Sequence, residues 1–250
     1  MPEEWSEGWA SRWLQQGYRP VQSAQYTYQD PNGHDVVRKT RFTLMRVEDG
    51  KDSGEKTFVV QHRTLQSVIL KANNWEPGIG KEGWEEGLLY GRPGLEKGLR
   101  AGDDIYLCEG ERDADTIAIN WGGCSTTHYQ GAAGMRLNQA EVLAEAKRVF
   151  IMADRDVTGY QLAWHHLNLL VEVGVPQTNI VVVLPGVRQD KADITDHVKA
   201  GLGPDKLVPV KHSALRKQID KVGLLPQGGG RRWGYGYEAE DLGEWKVTRG

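Results

Sequence analysis

The sequence predicts an α/β chain in which a parallel, helix-covered sheet follows a smaller α+β region. Three observations carry that reading. From about residue 101 to 204, apolar runs of strand length alternate with helix-spaced segments, and this βαβαβαβα rhythm implies parallel strands with covering helices. Residues 1–100 instead hold short alternating stretches divided by turn signals. Acidic residues follow directly after two of the apolar runs, where the ligand edge of an open α/β sheet lies.

Taken in order, Trp5, Trp9 and Trp13 recur every four residues and form one stripe of a helix. Packing onto the domain explains such a stripe, with partner docking or base stacking as alternatives. The stretches YTYQD, VVRKTRFTLMRVE and KTFVVQH read as strands, with turns at NGH and EDGKDSG. DIYLC is a strand and a helix starts near Arg112; GCSTTHY is a weaker strand. NQAEVLAEAKR is helical with Asn138 as N-cap. RVFIMA has no polar interruption after its arginine, so it is a buried strand. Gly159 then allows a turn into a helix from Tyr160 to Leu170. NIVVVLP is the next strand, and DITDHVKAG is a short helix stopped by Gly201. The strands near 104–108, 149–153 and 179–184 are expected to be parallel in one sheet, with Glu109 and Asp154 at the same edge. KHSALRKQIDKVG forms a basic helix, followed by a Gly-rich tail expected to be flexible. Three zones result: 1–100, 101–204 and 205–250.

A chain of 250 residues can bury one large core or two small ones. Its net charge of −3 argues against a broadly basic nucleic-acid coat, although 31 Lys and Arg residues leave room for a local basic face. Two cysteines, Cys108 and Cys124, supply neither a disulfide framework nor a paired zinc spacing. The acidic start MPEEWSEGWASRW lacks the apolar core of a secretory leader, and no apolar run approaches the ~18 residues of a membrane span. A soluble, cytoplasmic protein is expected.

Chemistry concentrates in two acidic groups. In IYLCEGERDADT, Glu109 directly follows a strand and Gly110 permits a tight turn. In RVFIMADRDVTG, Asp154 and Asp156 follow another. Two strand ends of one parallel sheet can aim these three carboxylates at one point, where they repel. A divalent, oxygen-seeking cation such as Mg²⁺ resolves the conflict. The plainer alternative is that solvated acids merely end the strands.

The ordered set EGERDAD, ADRDVTG and KADITD resembles the Toprim domain of primases and topoisomerases over about residues 104–202. Upstream, GLLYGRPGLEKG looks like the segment that precedes Toprim in bacterial-type primases, and TTHYQGAAGMR is similar to a stretch between the acidic motifs of phage primase-like proteins. The resemblance implies a Rossmann-like Toprim sheet behind a smaller α+β subdomain. It also implies divalent-metal-dependent nucleotidyl transfer in DNA replication. By the match, Glu109, Asp154 and Asp156 are catalytic and metal-linked, Asp193 and Asp196 are the late metal-linked pair, and Asp113 is a supporting acid. The implied cofactor is Mg²⁺ or Mn²⁺. The implied partners are a single-stranded DNA template, nucleoside triphosphates and a separate replicative helicase.

Departures from the family shape the expectation. The cysteines for an N-terminal zinc module are missing, GIGKEG does not fit a GxxxxGK[ST] nucleotide loop, and a topoisomerase tyrosine domain has little room. A primase core is what remains, with a Toprim nuclease or a non-catalytic DNA- or partner-binding relative as alternatives. Asp154-Arg-Asp156-Val-Thr158 also fits the DxDxT signature of haloacid-dehalogenase-like phosphatases, but that reading leaves Glu109 without a use.

Arg38, Lys39 and Arg41, with Arg46, Lys56, Arg63 and Lys71, would line a phosphate-tracking groove; a solvated face is the alternative. His165 and His166 lack ligand spacing and are expected to be structural, as is Cys108, a small packed residue beside Glu109.

Overall fold

A computed structural model describes residues 3–131 and 134–224. The first unit opens with helix α1 (Glu3–Gln15) and continues as an antiparallel meander of β1 (Tyr18–Gln29), β2 (Asp35–Arg46) and β3 (Asp52–His62). The β1–β2 turn is fixed by Asp30, whose Oδ1 accepts the amides of Asn32 and His34 at 2.9 and 2.8 Å. Gly33 takes the left-handed backbone that this turn requires. Trp9 lies against Phe42, with ring centroids 4.7 Å apart, and Trp13 meets Tyr18 edge-on at 6.5 Å, so these two members of the stripe pack onto the sheet. Trp5 falls outside the described side chains.

After the short helix α2 (Leu65–Ile69), the two-residue strand β4 (Glu76–Pro77) completes a four-stranded sheet in the order β1-β2-β3-β4. Its core gathers Tyr26, Tyr28, Val36, Val37, Val60 and Val68, joined by Leu88 and Tyr129 from further along the chain. That sharing seats the first unit on the second.

Helix α3 (Arg92–Ala101) leads into the second sheet, of β5 (Asp104–Leu107), β6 (Cys124–Thr126), β7 (Arg148–Met152), β8 (Ile180–Leu184) and β9 (Val208–Val210). Their order is β6-β5-β7-β8-β9, with the first four parallel and β9 antiparallel to β8. Alternate strand residues point to opposite faces. Ile105, Leu107, Val149, Ile151, Ile180 and Val182 therefore share one core with Ala163, Leu167 and Leu170 of helix α6 (Val157–Glu172). Cys108, Met152 and Val183 share the other with Ala114 and Ile117 of α4 (Glu111–Trp121) and Ile194 of α7 (Ile194–Lys199). The architecture is mixed α/β, a largely parallel sheet flanked by helices.

Two elements differ from expectation. Helix α5 spans only Leu137–Glu141 and is capped at Arg136, not Asn138. Gln139 sets this start: its Oε1 accepts the Arg136 amide at 2.9 Å while its Nε2 donates to the Leu88 carbonyl at 2.7 Å. The second sheet also continues past residue 204, because β9 joins its edge and α8 (His212–Val222) packs on α6 through buried Leu215 and Ile219. The Gly-rich tail lies outside the described residues.

His128 and His166 face each other in the interior, Nε2 to Nε2 at 3.1 Å. Burial pushes His128 down to about 3 and His166 well below the ordinary histidine range. Both rings are then neutral in the folded state, whereas unfolded histidines take up protons near pH 6.5. Their contribution to stability is complete above that pH and is lost as pH falls below it, by up to about 1.4 kcal/mol per pH unit for each ring. Urea unfolding at pH 7.5 and 5.5 should show a smaller acid loss in His128→Asn than in the wild type; equal losses would contradict this.

Candidate metal centre at the strand ends

Strand β5 delivers Glu109. Cys108 is still bonded to the sheet through its amide to the Thr126 carbonyl, and Gly110 caps α4 with an extended backbone. Strand β7 delivers Asp154 in the same way, after Ala153 donates to the Val183 carbonyl at 3.0 Å. The two strands are parallel neighbours, so their carboxyls emerge side by side. The two carboxyls are close enough to act on each other: Asp154 lowers Glu109, and the Glu109 charge raises Asp154. Asp156 caps α6, its Oδ1 accepting the Gly159 amide at 2.7 Å. Gly159 has to be glycine here, because a Cβ would stand 2.5 Å from the Asp154 carbonyl oxygen. Helix α6 can press onto the Asp154 turn only through that missing side chain.

Electrostatics at this edge are strained. Burial, then the Glu109 charge, raises Asp154 far above the usual carboxylate range, with further contributions from Asp113, Asp193 and Asp156. Burial and Asp156 raise Glu109, while Lys56 of β3 pulls it back. Glu109 also has a buried Oε2 with no hydrogen-bond partner. Such an oxygen costs roughly 1–3 kcal/mol or more when left unsatisfied.

The later acids are engaged differently. Asp113 Oδ1 accepts the Thr195 amide at 3.1 Å and its hydroxyl at 2.7 Å, holding α7 against α4. Asp193 caps α7 by accepting the Asp196 amide at 2.8 Å, and Asp196 returns the bond from the Asp193 amide at 3.4 Å. Asp193 also pairs with the Arg112 guanidinium. Among the described residues, no three Asp, Glu, His or Cys side chains already enclose a point where one ion would sit.

Two cations inside the motifs were not singled out from the sequence for the site. Arg155, between the paired aspartates, donates from Nε and Nη2 to the Pro185 carbonyl at 2.9 and 2.6 Å. Its backbone exchanges bonds with Ala192 and Lys191, so it ties the Asp154 turn to the loop carrying Asp193. Arg112 is the second. Both lie among acids in EGERD and DRD, and that interleaving of charge was the available signal.

The expected basic groove is redistributed. Lys39 is 3% exposed and bonds Glu111 at 2.8 Å, so its ammonium is not on a groove; this corrects the sequence reading. Arg63 is likewise a structural clamp, donating to the carbonyls of Ser67, Ala72 and Asp35 at 2.7, 2.6 and 3.2 Å. Consecutive strand residues face opposite ways, so Arg38 and Lys39 cannot share a face. Arg38 bonds Gln61 Oε1 at 2.8 Å and stacks its guanidinium 4.6 Å from the Trp75 ring. Arg41 lies beside Tyr26 and has a buried Nε without a partner. Arg46 is paired with Asp49 at the β2–β3 turn. Lys56 is exposed.

No family model matches the sequence, and no curated protein matches it. The chain is similar, at low identity, to several solved structures. The catalytic core of E. coli primase is 13% identical with a TM-score of 0.49, the match covering 81% of this chain and 56% of that one. The zinc-binding and RNA polymerase domains of the Aquifex aeolicus primase are 16% identical, with a TM-score of 0.47 and coverage of 82% and 40%. The RNA polymerase domain of Mycobacterium tuberculosis primase DnaG is 13% identical, with a TM-score of 0.48 and coverage of 80% and 59%. The chain thus spans about half the length of these structures.

Proposed function

We propose that the chain is a primase-like Toprim protein that carries out divalent-metal-dependent nucleotidyl transfer on a single-stranded DNA template. One observation carries the reading: Glu109 and Asp154 meet at the ends of neighbouring parallel strands with a buried carboxylate oxygen left unpartnered. All the donors there are carboxylate oxygens, the hard ligands that Mg²⁺ or Mn²⁺ takes. Glu109, Asp154 and Asp156 would hold the ion. Bound there, it supplies charge stabilisation for the attacking and leaving oxygens of a phosphoryl transfer.

The rest falls to the chain's own groups. Glu109 would either ligate that ion or take the proton of a primer 3′-hydroxyl. Lys56 is exposed and its charge lowers Glu109, which supports a role for it in meeting the phosphates of a nucleoside triphosphate. Arg38 and Trp75 offer a cation and an aromatic face for template. A separate helicase would open the duplex. None of the described helices is long and apolar enough to cross a membrane.

The test is extension: labelled nucleoside triphosphates, single-stranded template and Mg²⁺ or Mn²⁺, beside a nicking assay on the same DNA. Primer products support the proposal. Nicking without synthesis makes the chain a nuclease, and neither activity leaves the non-catalytic relative. Lys56→Ala should weaken binding to template and triphosphate and flatten the log–log salt dependence by ~0.7 for the lost single-strand phosphate contact. An unchanged slope would remove Lys56 from the phosphate path.

A further inference from the structure

We infer that Arg231, Arg232, Trp233, Tyr235 and Tyr237, which follow the described residues, bind single-stranded nucleic acid beside the acidic strand ends. This rests on the template-binding part of the reading above and names a second contact for that strand. The path of α8 carries the argument. Its start lies at the far end of the second sheet, where His212 Nε2 donates to the carbonyl of Ile180, the first residue of β8, at 3.0 Å. Strand β8 is parallel to β7, so that end is opposite Asp154. The helix then runs back along α6. Midway, the Arg216 guanidinium sits 5.4 Å from the Trp164 ring. At the end, Gln161 Nε2 donates to the carbonyls of Gly223 and Leu224 at 3.1 and 3.3 Å. Gln161 lies about 6 Å along the α6 axis from Val157, and the residue before Val157 is Asp156. Helix α8 thus runs antiparallel to α6 and delivers the chain to the acidic edge.

A template phosphate arriving there meets carboxylates. The first unit offers few cations to offset them, because Lys39 bonds Glu111, Arg63 clamps backbone carbonyls and Arg46 pairs with Asp49. The sequence after Leu224 supplies what is short: Arg231 and Arg232, then three aromatic residues separated by single glycines. From Leu224 to Arg231 the chain spans at most about 24 Å. The acidic edge of five strands is about 19 Å wide, from four spacings of ~4.8 Å, so the arginine pair is within reach of it. Guanidinium groups take phosphate oxygens through paired N–H donors. Aromatic rings stack on unpaired bases whatever their identity, and glycine puts no side chain in the way of a base approaching the ring beside it.

Fluorescence anisotropy of a labelled oligothymidylate on the full chain, in EDTA and beside a duplex of equal length, tests this. Combining Trp233→Ala, Tyr235→Ala and Tyr237→Ala should weaken single-strand binding by about tenfold or more and leave duplex binding within about twofold. Combining Arg231→Ala and Arg232→Ala should flatten the log–log salt dependence by ~1.4, for two lost single-strand phosphate contacts at ~0.7 each. Both variants should melt at the wild-type temperature; a lower one would give these residues a part in the fold and overturn the inference. Unchanged single-strand affinity in the aromatic variant would overturn it, as would an equal loss on duplex. Tighter binding by the arginine variant would also do so, because the pair would then be shielding the acids from nucleic acid. Binding that depends on these residues, in a chain without nucleotidyl transfer, would uphold the inference and defeat the metal-dependent function. A wild type that binds no single strand would defeat both.

Discussion

Asp154→Asn is expected to abolish the proposed nucleotidyl transfer while making the metal-free protein more stable. The two effects have one cause. In the folded chain Asp154 is crowded by Glu109, Asp113, Asp193 and Asp156 and is raised far above the usual carboxylate range. A carboxyl raised on folding keeps a proton that the unfolded chain gives up. Its favourable contribution is therefore full below the unfolded value near 3.8 and is lost as pH rises towards the folded one. Metal-free stability should decline with rising pH through that interval. Mg²⁺ should reverse the decline, because by the proposed function it binds only the folded site and competes with the proton that Asp154 holds. Asparagine removes the charge, so the variant should melt higher than wild type without metal and show no Mg²⁺-induced shift. Activity should fall by on the order of 10³, equivalent to about 4 kcal/mol of barrier. Melting curves at pH 6 and 8.5, with and without Mg²⁺, check the first part, and primer extension checks the second. A full Mg²⁺ shift in the variant would show that the ion binds elsewhere. Glu109→Gln separates the phosphatase reading: full activity there, with an aspartyl-phosphate at Asp154, would replace Toprim chemistry altogether.

The largest effect on stability belongs to Lys39→Met. Lys39 and Glu111 are each 4% exposed by side chain, 2.8 Å apart, and Glu111 also accepts the Tyr28 hydroxyl at 2.6 Å. Removing the lysine strands a buried carboxylate, which costs about 3–5 kcal/mol. Adding Glu111→Gln removes the stranded charge yet keeps an acceptor for Tyr28, so the double variant should recover most of the loss. Urea denaturation of the two single variants and the double gives the coupling energy. A loss under about 1 kcal/mol in Lys39→Met would mean that the pair is solvated. The same variant, still folded at low urea, should keep the wild-type salt dependence for template binding, as befits a lysine turned inward.

Much of the second sheet was legible because its strands are uninterrupted apolar runs. Val149 to Met152 and Ile180 to Leu184 can be buried only on both faces, and that places acids such as Asp154 just beyond their ends. The convergence of Glu109 and Asp154 was legible for the same reason, since parallel neighbours end at one edge. Strand β9 was not. Three residues, Val208-Pro209-Val210, are too few to show a period. The burial of Lys39 was equally hidden. Strand alternation says which residues share a face, but it does not say that a glutamate from another unit will cover it. For Arg112 and Arg155 the sequence named no partner; the fold brings Asp193 and the Pro185 carbonyl to them.

Strand β9 has a bearing on how the chain behaves at high concentration. An open sheet has two outer strands, and each is a template for adding another chain edge to edge. On one side α3 is pressed against β6 so closely that a Cβ on Gly98 would fall 2.5 Å from the Cys124 sulfur. On the other side the outermost strand is three residues long and centred on a proline, which has no N–H to offer a newcomer. Neither border invites polymerisation by strand pairing. Replacing Pro209 with valine would lengthen the row of available donors, and light scattering of the concentrated variant should reveal the self-association that the proline holds off.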